Sequence, residues 1–221
     1  MRKLLHVVNI NDFFPELFAL CFPTIQSYAQ RNGYEINLIT QRKFPDYPIN
    51  YEKMQVYQDG RGYDLNLLVD ADMLIHPHFP DVTNIVPPHH IGFNDNYNIS
   101  SKFHTHLLDY FLRDGRDVGI ATNFVVSYKS THDIWEPLPY SAKEIEELSI
   151  KGLNHRGWGH YADEFCLSHN LAKYGLRYTG ITWEDWQRQF LIHTGTGDKQ
   201  QALMTKKLSL PIFPEIGRAH V

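Results

Sequence analysis

Apolar residues in the first third of the chain fall into short runs whose period alternates between that of a strand and that of a helix. Residues 3–10 carry Leu4, Leu5, Val7 and Val8 in a run broken only at His6, and read as a buried strand. Residues 14–32 repeat apolar positions at helical spacing, with Asp12 in the N-cap position and Gly33 as the C-terminal stop. Pro23 lies inside that helix and predicts a kink or a break. Residues 35–40 alternate polar and apolar, as a second strand would. A proline-bearing loop over 43–49 leads to a short helix at 51–58, a turn at 59–62 and a third strand at 64–69. Strand, helix, strand, helix, strand is the signature of a parallel sheet with helices on its faces.

The middle of the chain is less regular. Residues 77–85 read as loop, 91–93 as a short strand and 100–113 as a helix. Residues 118–128 form one long strand or a strand pair, with Asn123 inside it. The segment 136–152 begins with prolines and turns helical at Ser141, where Ser141-Ala142-Lys143-Glu144 matches a capping box. Residues 157–160 form an aromatic glycine loop, 161–174 an amphipathic helix ending at Gly175, and 190–192 a last short strand. With no repeats and no low-complexity linker, the expectation is an α/β chain: a single domain over 1–214 with a mostly parallel central sheet flanked by helices.

Chemistry enters at the end of the third strand, in Leu67-Leu68-Val69-Asp70-Ala71-Asp72. If strand geometry persists through Ala71, Asp70 and Asp72 project to the same side. Two carboxylates that close repel unless a cation or a proton lies between them. A hard divalent cation suits oxygen ligands and commonly also holds a phosphate. Ligands of such sheets bind outside the carboxyl ends of the strands, which is where the pair falls. The plain alternative is a solvated acidic turn. A second candidate is His193-Thr194-Gly195-Thr196-Gly197-Asp198-Lys199, where glycines permit close backbone approach to a phosphate and the lysine supplies a point charge. The alternative there is an ordinary surface loop. A third is Asp163-Glu164, in the first turn of a predicted helix, where the helix dipole alone favours acids.

Composition narrows the field. The 221 residues are 43% hydrophobic and 21% charged, enough for one sizeable core. The formal net charge of -4 implies no broad basic surface, so nucleic acid is not an expected partner. No apolar run approaches the roughly 18 residues of a membrane span. The basic start, Met1-Arg2-Lys3, is followed by an apolar stretch too short for a signal peptide. Cys21 and Cys166 make no disulfide framework, and a reducing cytoplasm is expected. His76, His78, His89, His90, His104 and His106 lack zinc-site spacing and read as loop or surface histidines. Residues 215–221 are what a common short-read sequencing adapter encodes in this frame. They are set aside as an assembly artefact, with the natural C-terminus expected to be missing.

Taken together, these residues resemble the GT-A fold glycosyltransferases, most closely the glycogenin and bacterial galactosyl- and glucosyltransferase group. There, too, an apolar strand runs into Asp-x-Asp, as Val69-Asp70-Ala71-Asp72 does here. The group carries a late His-x-x-Gly-x-x-Lys element, whose spacing His193 and Lys199 keep; Thr196 stands where the family has glycine, between Gly195 and Gly197. The resemblance implies a nucleotide-sugar donor, a UDP-sugar foremost, and a carbohydrate, lipid-linked or protein acceptor. It implies manganese or magnesium on Asp70, Asp72 and His193, with Lys199 at the diphosphate. Lys53, in Tyr51-Glu52-Lys53-Met54, would lie near the donor, and Asn9 and Asn11 near the nucleotide. Asn123, Asp163 and Glu164 would serve the sugar and its transfer. It implies a hexosyltransferase and leans to retention of configuration. Two alternatives stay open. One is a GT-A scaffold that binds nucleotide without turnover. The other is a haloacid-dehalogenase-like phosphatase, in which Asp-x-Asp belongs to the first core strand.

Overall fold

β1 (Lys3–Val8) runs between two parallel neighbours, and its residues Leu4, Leu5 and Val7 are buried. The structure, a computed structural model, describes residues 1–12, 14–94, 120–144, 162–181 and 191–193. Lys3 lies opposite Tyr34 of β2 (Tyr34–Ile39) on one side and opposite Leu65 of β3 (Leu65–Val69) on the other. All five residues of β3 are buried, as an interior strand covered on both faces requires.

The sheet has six strands in the order β2-β1-β3-β6-β5-β7, completed by β5 (His90–Asn94), β6 (Ala121–Tyr128) and β7 (Arg177–Ile181). The expected parallel pairing holds for β1–β2, β1–β3 and β5–β7, while β6 runs antiparallel to both its neighbours. Outside this sheet, β4 (Met73–Ile75) and β8 (Leu191–His193) form a small antiparallel pair.

Strand alternation divides the core in two. Leu67, Val69, Phe124 and Val126 pack with Ile25 and Tyr28 of α1 (Pro15–Asn32) on one face. Leu68 and Val125 pack on the other with Tyr51, Met54, Trp135 and Cys166. Both cysteines are buried and neither is in a disulfide. The second layer is a 3-10 helix (Ile49–Gln55) that runs into a single helical turn, α2 (Val56–Asp59), together with α3 (Ala162–Lys173).

α1 departs from expectation at its start. Asn11, Asp12 and Phe14 all adopt positive φ, so the chain turns sharply and Phe14, not Asp12, takes the N-cap position without a side-chain cap. Pro15 opens the helix, where a missing N–H costs nothing. Pro23 is accommodated inside one continuous helix, and Gly33 ends it in the left-handed conformation (φ 71°), as predicted. The segment 51–58 proves to be mostly 3-10 rather than α. Ser141 and Glu144 make the predicted reciprocal cap, with Ser141 N donating to Glu144 Oε2 at 2.7 Å and Glu144 N to Ser141 Oγ at 3.2 Å. The predicted helix at 100–113, the loop at 157–160 and the tail at 215–221 lie outside the described residues. No helix of the described residues is long and apolar enough to cross a membrane.

His6, which the sequence shows only as a break in an apolar run, is the centre of a buried polar chain. Its Nε2–H donates to Asn66 Oδ1 (2.9 Å), and its Nδ1 accepts from Asn37 Nδ2 (3.2 Å). Burial pushes its pKa down to about 4, partly offset by the Asn66 hydrogen bond.

Candidate functional site

β3 delivers Asp70 to the carboxyl edge of the sheet, and Asp70 N still donates to Asn123 O of β6 at 2.9 Å. The strand ends at Val69, however. Asp70, Ala71 and Asp72 form a turn closed by Met73 N donating to Asp70 O at 3.1 Å, and β4 begins at Met73. Strand geometry therefore does not persist through Ala71, and strand alternation does not set the sides of the two carboxylates. The chain must leave the six-stranded sheet to start the β4–β8 pair, and a turn is how it does so. Asp72 is buried (8% exposed), while the Asp70 side chain keeps 21% exposure.

Beneath this turn lies Lys53, only 7% exposed. Its Nζ is 2.7 Å from Asp70 Oδ1 and 2.8 Å from Asp163 Oδ2. It also donates to Thr122 Oγ1 at 3.0 Å and lies 3.3 Å from Thr122 O. Burial alone would lower the Lys53 pKa, but the Asp163 and Asp70 charges outweigh it and hold the ammonium above its ordinary value. Asp163, 2% exposed in the first turn of α3, is gripped from several directions. Asn50 Nδ2 donates to its Oδ1 at 2.7 Å, and the Thr122 hydroxyl donates to its Oδ2. Asn50 and Lys53 reach the same carboxylate because residues three apart eclipse on a 3-10 helix.

The structure thus joins Lys53, Asp70 and Asp163, which sequence reasoning singled out for separate reasons. It adds Asn50 and Thr122, which sequence reasoning missed. Asn50 could have been found from its spacing to Lys53 had the segment been read as 3-10; Thr122 carries no sequence signal. Asn123 sits beside Asp70 on β6, and Asn9 directly follows β1, its N donating to Ile39 O at the end of β2. Both are buried, and the Oδ1 atoms of Asn9, Asn50 and Asn123 have no hydrogen-bond partner among the described residues. Such buried orphaned acceptors are uncommon. Asn11 is exposed in the left-handed turn after β1, and Glu164 is half-buried next to Asp163.

Of His193 only the backbone is described. It lies opposite Met73, one residue beyond Asp72. Lys199 lies outside the described residues, as do His104 and His106. His78 and His89 are exposed, and His76 and His90 half-buried. Among the described residues no three His, Cys, Asp or Glu side chains gather as a metal site.

No protein-family model matches the sequence, and no curated protein matches it. Solved structures do. The crystal structure of a glycosyltransferase involved in glycosylation of the major capsid of PBCV-1 aligns with a TM-score of 0.57. The alignment covers 93% of this chain and 100% of that one at 12% sequence identity. The fold is GT-A-like. The galactosyltransferase LgtC, in complex with donor and acceptor sugar analogues, aligns at a TM-score of 0.44 and 8% identity over 81% of this chain and 73% of its own, too distantly to add to the assignment. In a GT-A-like fold the Asp70–Lys53–Asp163 cluster lies at the carboxyl ends of the parallel strands, the ordinary ligand edge of an α/β sheet.

Proposed function

We propose that this protein transfers a sugar from a nucleotide-sugar donor, a UDP-sugar foremost, to a carbohydrate, lipid-linked or protein acceptor, with a divalent cation. The observation that carries the reading is the buried Asp70–Lys53–Asp163 cluster at the ligand edge of a GT-A-like fold. Burying a lysine between two carboxylates is costly. Perturbed groups of this kind concentrate where chemistry is done.

The donor set suits a hard or borderline cation: two carboxylates on one turn, with the backbone of a histidine opposite the residue that follows them. Asp70, Asp72 and His193 would hold manganese or magnesium, which would supply Lewis-acid charge to the departing diphosphate. The chain's other residues have tasks that need no metal. Asn9, with its unpartnered buried acceptor, and Asn11 would receive the nucleotide. Lys199 would add positive charge as the diphosphate leaves. Asn123 would accept a hydrogen bond from a sugar hydroxyl, which satisfies its orphaned Oδ1. Lys53, Asn50 and Thr122 hold Asp163 in one orientation, so its carboxylate would present a fixed polar wall to the sugar. Glu164, half-buried in the same helical turn, would be the second carboxylate to act during transfer, and retention of configuration would follow from such a neighbour.

The test is a thermal-unfolding panel of UDP, GDP, CDP and ADP, each with and without manganese. A ligand at about a hundred times its dissociation constant adds roughly 2.7 kcal/mol. That raises Tm by roughly 5–10 °C in a chain of this size. Stabilisation by one nucleotide, only with the metal, is the expected result. No stabilisation by any of them would reject the reading. Turnover of phosphomonoesters without nucleotide would put the phosphatase in its place.

A further inference from the structure

The three donors of the Lys53 ammonium are already taken. One goes to Asp70 Oδ1 at 2.7 Å, one to Asp163 Oδ2 at 2.8 Å, and one to Thr122, whose Oγ1 is 3.0 Å away. Nothing is left to offer a substrate phosphate or hydroxyl, which sets Lys53 apart from a lysine that meets its ligand directly. Nor is the ammonium free to swing aside. Its neighbours Tyr51 and Met54 are fully buried in the core, and its partner Asp163 is pinned by Asn50 and Thr122 from two other elements. The positive charge therefore sits at a fixed point, in hydrogen-bond contact with the first carboxylate of the Asp70-Ala71-Asp72 turn.

That position has a consequence for any cation using Asp70. A divalent ion approaching the turn meets a carboxylate whose charge is partly offset by a buried ammonium shared with Asp163, and the low-dielectric surroundings of Lys53 screen the ion–ammonium repulsion poorly. A nucleoside diphosphate brings further negative charge and offsets that repulsion. We infer that Lys53 is an internal counter-cation that keeps the turn from holding a divalent ion by itself, so that the ion binds well only together with a nucleoside diphosphate. Lys53 is thus a positioning residue that sets the order in which the site assembles. The inference rests on the glycosyltransferase reading, because it takes the diphosphate as the natural partner of the ion. A site built this way does not collect stray metal between turnovers, and it couples metal entry to donor entry.

The experiment is calorimetric titration of manganese chloride into the wild-type protein, Lys53→Gln and Lys53→Arg, alone and with UDP, GDP, CDP or ADP. Manganese-water electron paramagnetic resonance serves as an independent count of free ion. Wild type should bind manganese alone weakly and at least tenfold more tightly with one nucleotide. Lys53→Gln, which keeps a donor for Asp163 but loses the charge, should bind manganese alone at least tenfold more tightly than wild type. Lys53→Arg, which keeps the charge, should not. The gain from nucleotide should shrink in Lys53→Gln by the same factor, since coupling between two ligands is reciprocal. Equal affinity of wild type and Lys53→Gln for manganese alone would overturn the inference and leave the function standing. If Lys53→Gln does not fold, wild type alone decides. Manganese binding that is as tight without nucleotide as with it overturns the inference. Failure of wild type to bind any manganese–nucleotide pair overturns the function and the inference together.

Discussion

Asp72 and Lys53 show how differently two buried charged residues can be used around one turn. Asp72 stands on an irregular turn, buried yet outside any regular element, and asparagine keeps its size and shape while removing its charge. Asp72→Asn should therefore fold as wild type while losing the manganese-dependent stabilisation by nucleotide. A variant that still binds the nucleotide with manganese as well as wild type would remove Asp72 from the metal set. Sequence reasoning reached Lys53, Asp70 and Asp163 one at a time, from a resemblance to a family segment whose lysine lies near the donor, a carboxylate pair after an apolar strand, and an acid at a helix start. It could not join them, because Asn50 meets Asp163 across 113 positions and Lys53 meets Thr122 across 69. Pattern within a window says which face a residue occupies, not which distant residue shares that face.

At the scale of elements, β5 approaches β6 and the segment before it closely at a residue with no side chain. That residue is Gly92: a Cβ there would lie 2.3 Å from Val86 Cγ2 and 3.2 Å from Val126 Cβ. Both neighbours are fully buried and cannot move aside. Gly92→Ala should cost about 1–3 kcal/mol, the usual range for overpacking, read as a lower urea midpoint. A midpoint unchanged from wild type would mean that the β5–β6 interface is looser than its geometry implies. The same scale explains the two clearest departures from the sequence reading. The Asp12 cap fails because Asn11, Asp12 and Phe14 all turn left-handed between β1 and α1, a conformation no local pattern announces. The Asp70–Asp72 segment bends because β4 pairs with β8, whose residues lie far along the chain.

For the molecule as a whole, the buried His6 makes folding sensitive to acid. The folded chain keeps His6 neutral down to about pH 4, whereas the unfolded chain takes its proton near 6.5. The folded pKa is depressed, so the contribution is complete above pH 6.5, falls as pH drops towards 4 and levels off below it. Over that window about 3 kcal/mol is lost. His132, also lowered by burial, acts in the same direction. Urea unfolding at pH 7 and pH 4.5 should show the loss in wild type and a shallower one in His6→Gln; equal slopes would show that His6 does not control it. What the chain determined by itself was the set of elements up to β3, the α/β class and the identity of the charged residues at the sheet edge. Those follow from local periodicity and from the few residue types able to carry such charge. The antiparallel setting of β6, the turn at Asp70 and the burial of Lys53 between Asp70 and Asp163 came only with the tertiary structure. Each depends on which distant segments meet, and the free energy that selects those meetings is a property of the whole core rather than of any stretch of it.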